Sequence, residues 1–195
     1  MAVKAFDEMN SGTGDLVRAP YRGVADWLAR TSPERVAATR HEVDLFYRRN
    51  GITFGAYGAV DGHETTIPFD IIPRVIAWDE WDFLHKGLVQ RVKALNAFLA
   101  DTYSTREICR AGVIPENQIL MNAEFVAMAQ GLALPGGIHA HIAGIDLVRV
   151  GEKDFYVLED NVRTPSGVSY VLENRYVLKR TFPRIFEKSY IRPVV

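Results

Sequence analysis

What the chain has little of narrows its class before any motif is weighed. Cysteine is almost absent: Cys109 stands alone, so an intramolecular disulfide is excluded and a reducing compartment fits. Arg106 and Arg110 stand near that thiol, yet packing between helices is the simpler role. Long hydrophobic runs are missing too. No stretch approaches the ~18 apolar residues of a membrane span, and the opening MAVKAFDEMN lacks the apolar centre of a secretory signal. A soluble, cytoplasmic protein is the expectation. Neither charge sign dominates: 23 Lys and Arg face 24 Asp and Glu, interspersed, for a net charge of −1. That balance lacks the basic stripe of a nucleic-acid binder, so neither nucleic acid nor membrane is an expected partner. Repeats and low-complexity segments are absent. What remains is ordinary globular composition, 48% hydrophobic and 24% charged, in 195 residues. That length suffices for a self-sufficient core.

Periodicity organises the chain coarsely. Residues 1–14 are polar and glycine-containing, with no regular structure expected. From Tyr21, Val24, Trp27 and Leu28 share one helical face. Thr31-Ser32-Pro33-Glu34 is a helix start, with a capping hydroxyl and a proline in the first turn, and Asn50-Gly51 is the stop. Residues 52–54 and 66–69 read as short strands about an Asp61-Gly62 turn. Pro68 and Pro73 lack amide donors and confine those segments to edges. Arg74, inside the apolar run 71–76, reads as a side chain snorkelling from an edge rather than a ligand of phosphate or carboxylate.

The longest helix signal covers 79–103. Trp81, Leu84, Leu88, Val92, Leu95 and Leu99 form its apolar stripe, with Gln90, Arg91 and Asn96 on solvated or interdomain faces. A short helix over 105–110 ends at Ala111-Gly112. In 122–134, Phe125, Met128 and Leu132 recur at helical spacing, before Pro135-Gly136-Gly137 breaks the chain.

The densest chemistry lies in 139–169. Residues 138–150 alternate as one strand and 155–158 as a second, around the turn Gly151-Glu152-Lys153-Asp154. Period two places Glu159 and Asn161 on one face. With Glu152 and Lys153 as a two-residue loop, Asp146 falls opposite Glu159. Two carboxylates that close call for a cation, and two acidic oxygens plus an amide oxygen suit Mg²⁺ with phosphates or waters completing its shell. Arg163 follows, and a Ser166-Gly167 turn opens a helix over 168–179 whose first amides face anions. Val171, Leu172, Tyr176 and Leu178 are its expected packing residues. The plainer alternative is solvated turn chemistry, with Ser166 only a cap, because a one-residue slip of register moves Asp146 to the other face. His139 and His141 face together, opposite Asp146, and without a third ligand they read as a polar strand face.

On these residues a resemblance is strong. GIDLVR (144–149), YVLEDNVRTPSGVSYVLENR (156–175), FDIIPRVI (69–76), EW (80–81) and GLVQRVKALNAFLADTYS (87–104) resemble the circularly permuted ATP-grasp proteins of the second type. Their relatives include glutathionylspermidine synthase-like ligases. The likeness runs from FDEM (6–9) to the C-terminus, although the chemistry of FDEM itself is not visible in its residues. It implies that Glu159 and Asn161 match the E-x-N motif and Asp146 the upstream acid, together holding the Mg²⁺ that bridges ATP phosphates. Arg163 is the implied catalytic and phosphate contact, with Ser166 and Gly167 also binding the nucleotide.

The fold class expected is α/β in the α+β sense: an ATP-grasp-like lobe of mostly antiparallel sheet packed with helices, in permuted domain order. Residues 1–195 read as one partial domain, with a helical 1–50, a mixed 51–137 and a metal-site hairpin, loop and helix in 138–195. The resemblance implies part of an ATP-dependent carboxylate–amine ligase using ATP, Mg²⁺ and an acid–amine substrate pair. Family members continue with a further segment carrying much of the nucleotide cleft, so a truncated chain awaiting a C-terminal half or partner chain is the expectation. The alternative is an inactive remnant or a protein-interaction module.

Overall fold

The computed structural model describes residues 5–11, 16–55 and 64–194. In chain order the elements are α1 (Arg22–Arg30), α2 (Pro33–Arg49), β1 (Thr53–Gly55), β2 (Glu64–Thr66), α3 (Trp78–Thr102), α4 (Glu107–Arg110), α5 (Glu116–Leu120), β3 (Gly144–Arg149), β4 (Phe155–Asn161), α6 (Gly167–Thr181) and α7 (Pro183–Lys188). β1 pairs antiparallel with β2, Thr53 opposite Thr66, and β3 pairs with β4. The class is α+β, helices with small antiparallel strand pairs. Among the described residues no helix is long and apolar enough to cross a membrane. The Asp61-Gly62 turn lies outside the described residues.

Packing divides the chain into two units that do not follow chain order: residues 1–77, 149–154 and 166–195 in one, 78–148 and 155–165 in the other. In the first, α2 starts where its cap signal stands. Ser32 Oγ accepts the Arg35 N–H at 3.3 Å, satisfying one of the orphan donors of the first turn. The helix ends as Asn50 Nδ2 donates to the Phe46 carbonyl at 2.7 Å and Gly51 takes φ +62°. Val43 and Tyr47, one turn apart on α2, meet Ile71, Val177 and Phe182 in the core, with Trp27, Phe46 and Leu178 packed around them. Trp27 and Phe182 contact edge to face at 4.8 Å.

The buried face of α6 differs from the expected one. Val171, Leu172 and Tyr176 are exposed, whereas Val177 is buried. The inward stripe is Tyr170, Asn174, Val177 and Thr181, and half of it is anchored by polar bonds: Tyr47 Oη donates to Asn174 Oδ1, and Tyr170 Oη donates to the Thr53 carbonyl at 3.4 Å. Leu178 packs against the core as expected, but for Val171, Leu172 and Tyr176 hydrophobicity pointed to the wrong side. Arg74 also departs from expectation. It does not snorkel but forms an ion pair with Glu8 of FDEM at 2.6 Å.

In the second unit α3 has Leu84 and Thr102 buried. Asp101 caps α4, its carboxylate accepting the N–H groups of Glu107 at 2.8 Å and Ile108 at 3.0 Å. The helix expected over 122–134 does not form; only a 3₁₀ turn, Ala127–Ala129, is present. Tyr103 takes its donors instead. The Tyr103 hydroxyl accepts the Val126 N–H at 3.2 Å, its carbonyl accepts the Gly131 N–H at 2.9 Å, and Phe125 stacks on its ring at 5.1 Å. Gly131, at φ +74°, makes the return that this requires.

Candidate functional site

The candidate site is built on β3, β4 and the loop that follows. β3 begins only at Gly144, later than the strand expected from residue 138, because the donors ahead of it are engaged elsewhere. Asn96 Oδ1, on α3, accepts the N–H groups of His139 at 2.8 Å and Ala140 at 2.9 Å. His139 and His141 are thus off the strand, and their expected shared face does not exist. The His139 ring stacks on Tyr103 at 6.2 Å.

The turn also differs. Val150 N–H donates to the Asp154 carbonyl at 3.0 Å, which leaves a loop of three residues, 151–153, instead of two. Buried Arg149 holds that loop, donating from Nε to the Gly151 carbonyl at 2.9 Å and from Nη2 to the Glu152 carbonyl. Its Nη1 lies 3.6 Å from Glu8 Oε2, and its guanidinium sits over the Phe6 ring at 5.1 Å. FDEM therefore has a structural chemistry that no spacing in the sequence reveals, because its partners are distant in the chain.

In β3, Asp146 and Val148 are exposed while Leu147 is half-buried. β4 alternates likewise as far as Leu158, and then the alternation breaks: Leu158 and Glu159 are both exposed, Asp160 is turned in, and Asn161 is exposed again. Counted from the Val150–Asp154 pair, a regular ladder sets Asp146 opposite Leu158, not opposite Glu159 as the two-residue loop required. Glu159 and Asn161 are both exposed on β4, as Asp146 is on β3. A Cβ built on Gly144 would meet Asn161 Cβ at 3.5 Å and Pro165 Cβ at 3.3 Å, so the chain closes tightly at this end.

Glu159 and Asn161 are brought together directly, Asn161 Nδ2 donating to Glu159 Oε1 at 3.0 Å. Arg163 is not directed at them. It is exposed and ion-paired with Glu124. In the first unit, Ser166 opens α6 without a side-chain capping bond, its carbonyl accepting from Ser169 Oγ at 3.0 Å, and Gly167 is the first helical residue.

Two polar residues of α3, read from sequence as lying on solvated or interdomain faces, hold this region. Besides Asn96, Arg91 grips Asp160 by a fork: Nε to Oδ1 at 2.8 Å and Nη2 to Oδ2 at 2.6 Å. That guanidinium holds the Asp160 carboxyl below the usual carboxylate range. A polar position on a long helix was the sole signal for either residue.

Among the described residues, no three of His, Cys, Asp and Glu cluster in a way that could hold a metal ion. A fit to Mg²⁺ therefore rests on mixed oxygens. The Glu159–Asn161 bond leaves Glu159 Oε2 and Asn161 Oδ1 outside it, and Asp146 is a further exposed carboxylate on the paired strand. An oxygen-only set that depends on waters and phosphates suits this hard ion.

The family described as a circularly permuted ATP-grasp matches residues 73–195. An uncharacterized protein of Mycobacterium tuberculosis H37Rv is 43% identical over 190 residues, covering 97% of this chain and 34% of that protein. One from Synechocystis is 44% identical over 189 residues, covering 97% of this chain and 39% of its own length. A Frankia casuarinae protein provisionally named glutamate–cysteine ligase 2-2 is 38% identical over 184 residues, covering 92% of this chain and 20% of its own. The chain thus spans about a third of the length of the first of these relatives. Neither a second-type subdivision nor a glutathionylspermidine synthase-like specificity comes with these matches.

Proposed function

The chain belongs to the circularly permuted ATP-grasp family, and from that premise we propose that it forms the metal-binding part of an ATP-dependent carboxylate–amine ligase. The observation that carries this reading is the hydrogen-bonded Glu159–Asn161 pair, exposed on β4, with Asp146 exposed on the paired strand. In the proposed reaction a substrate carboxylate oxygen attacks the γ-phosphorus of ATP, the bond to the β,γ-bridging oxygen breaks, and ADP leaves with an acylphosphate formed. An amine then displaces phosphate to form an amide. Mg²⁺, when bound, would neutralise charge on the phosphoryl oxygens. Asp146, Glu159 and Asn161 are the proposed ligands. Arg163, exchanging Glu124 for a phosphate, is the proposed catalytic cation. The first amides of α6, at Ser166 and Gly167, are proposed phosphate donors in keeping with the family resemblance. The name of the Frankia protein agrees with a ligase but touches only a fifth of that protein, so it supports the class and not the substrates.

A second reading, an inactive remnant or interaction module, draws on the exposure of Tyr156 (65%) and Leu158 (71%) on β4. One experiment separates the two: ADP formation across a panel of amino-acid and amine pairs, by residues 1–195 joined to the remaining length of a relative. Acid- and amine-dependent ADP release that Glu159→Gln removes supports the ligase. No nucleotide binding and no release with any pair favours the module.

A further inference from the structure

We propose that Arg91 and Asp160 are a positioning pair that sets Glu159 and Asn161 outward; this rests on the ligand roles proposed above. Asp160 is the inward member of the Glu159-Asp160-Asn161 triplet, its side chain 15% exposed and held by Arg91 through contacts of 2.8, 3.0 and 2.6 Å. Neighbours in a strand point to opposite sides, so anchoring Asp160 inward turns Glu159 and Asn161 to the other side together. A one-residue slip would exchange the faces, and it would have to break this fork. The anchor is rigid because Arg91 lies well inside the 25-residue α3. Asn96, five residues on, ties residues 139 and 140 ahead of β3 to the same helix. One helix therefore fixes the position of both strands that carry the ligands. A guanidinium suits the task, since its planar fork fixes the orientation of the carboxylate, which a lysine point charge does not.

A merely structural ion pair at this exposure contributes little to global stability. A positioning pair governs ligand geometry instead, and the test reads geometry and metal binding separately. Mn²⁺ replaces Mg²⁺ and is titrated by electron paramagnetic resonance with ATP present, while the side-chain amide signals of Asn161 are followed by ¹⁵N NMR without metal. Arg91→Gln and Asp160→Asn are expected to weaken Mn²⁺ binding by about 10–100-fold, as loss of groups that orient metal ligands does. They should also move the Asn161 amide signals toward those of a free side chain. Arg91→Lys should fall between, and exchanging the pair, Arg91→Asp with Asp160→Arg, should recover most of the loss. If Arg91→Gln fails to fold, Arg91→Lys carries the same comparison. Unchanged Asn161 signals in Asp160→Asn overturn the proposal. So does unchanged Mn²⁺ affinity in that variant when Glu159→Gln does lose it. Displaced Asn161 signals in a protein that binds no Mn²⁺ even as wild type would uphold the positioning pair and overturn the metal reading alone.

Discussion

Asn96 holds the backbone of Ala140 from both sides: its Oδ1 accepts the Ala140 N–H at 2.9 Å and its Nδ2 donates to the Ala140 carbonyl at 3.1 Å. The same Oδ1 takes the His139 N–H at 2.8 Å. No ladder bond replaces these, since β3 begins at Gly144. Asn96→Ala is expected to cost about 1–3 kcal/mol, the range for half-buried donors left without a partner. Asn96→Asp keeps the acceptor and should cost less. Urea denaturation with an unchanged m-value checks both, and equal losses would show that the acceptor is not the important half.

The core of the first unit predicts a different pair of effects. Ile71 is fully buried, so Ile71→Ala should cost about 2–5 kcal/mol through lost contacts and a cavity. Tyr47→Phe removes only the bond to Asn174, which is partly open to water, and should cost about 0.5–1.5 kcal/mol. Thermal unfolding of the two variants should rank them in that order.

Tyr47 also predicts a response to alkali. Burial, with the Glu173 charge assisting, pushes its hydroxyl from an ordinary 10.0 up to about 12. The unfolded chain releases this proton first as pH rises, so the contribution is whole below pH 10 and is lost between about 10 and 12. Stability measured against pH should fall across that window in the wild type, and less steeply in Tyr47→Phe.

Asp101 predicts the acid side. Its carboxylate accepts the Ile108 and Glu107 N–H groups and the Thr105 hydroxyl, and these bonds hold its pKa below the usual carboxylate range. A group depressed on folding stabilises above its unfolded pKa of about 3.9 and loses that contribution as pH falls through the folded value. Asp101→Asn should flatten the acid limb of the stability profile. An unaltered limb would assign acid sensitivity elsewhere.

Legibility in the sequence followed the range of the interaction. The ends of α2 were plain because Ser32-Pro33 and Asn50-Gly51 act on their own neighbours, and the spacing of Glu159 and Asn161 is likewise local. Hydrophobic pattern failed where polar bonds chose the face. Asn174 and Tyr170 turned α6, and Tyr103 drew 122–134 out of a helix. The partner of Arg91 lies 69 positions away, and those of Glu8 are Arg74 and Arg149. Nothing local distinguishes such residues from a solvated charge. The register of the hairpin was hidden for a related reason: the pairing assumed a two-residue loop, and the Val150–Asp154 bond closes three residues instead.

The last prediction concerns turnover, and it follows from how little of a triphosphate the proposed groups would surround. Phosphoryl transfer depends on positioned charge in a site that excludes water. Asp146 and Glu159 are exposed, and Arg163 is exposed and paired with Glu124. Such groups hold ATP weakly on their own, because water screens them. Mg²⁺, which keeps several waters and leans on substrate phosphates, should accordingly bind residues 1–195 weakly without ATP. Residues 1–195 alone should then show no ATP turnover, and turnover should appear when the remaining length of a relative is supplied in the same chain or in trans. In that complete protein Glu159→Gln should lower the rate by about a hundredfold or more while the fold persists, the scale for removing a group that serves developing charge. Gly144→Val tests the same site by crowding, since even a Cβ there would press on Pro165 at 3.3 Å and touch Asn161 at 3.5 Å, and valine adds two methyl groups beyond it. It should raise the Mg²⁺ concentration needed for half-maximal rate more than it alters the melting temperature. ADP release measured for the short chain, the completed chain and both variants decides the matter. Brisk release by the short chain, or a Glu159→Gln variant as active as wild type, would remove these residues from the metal site.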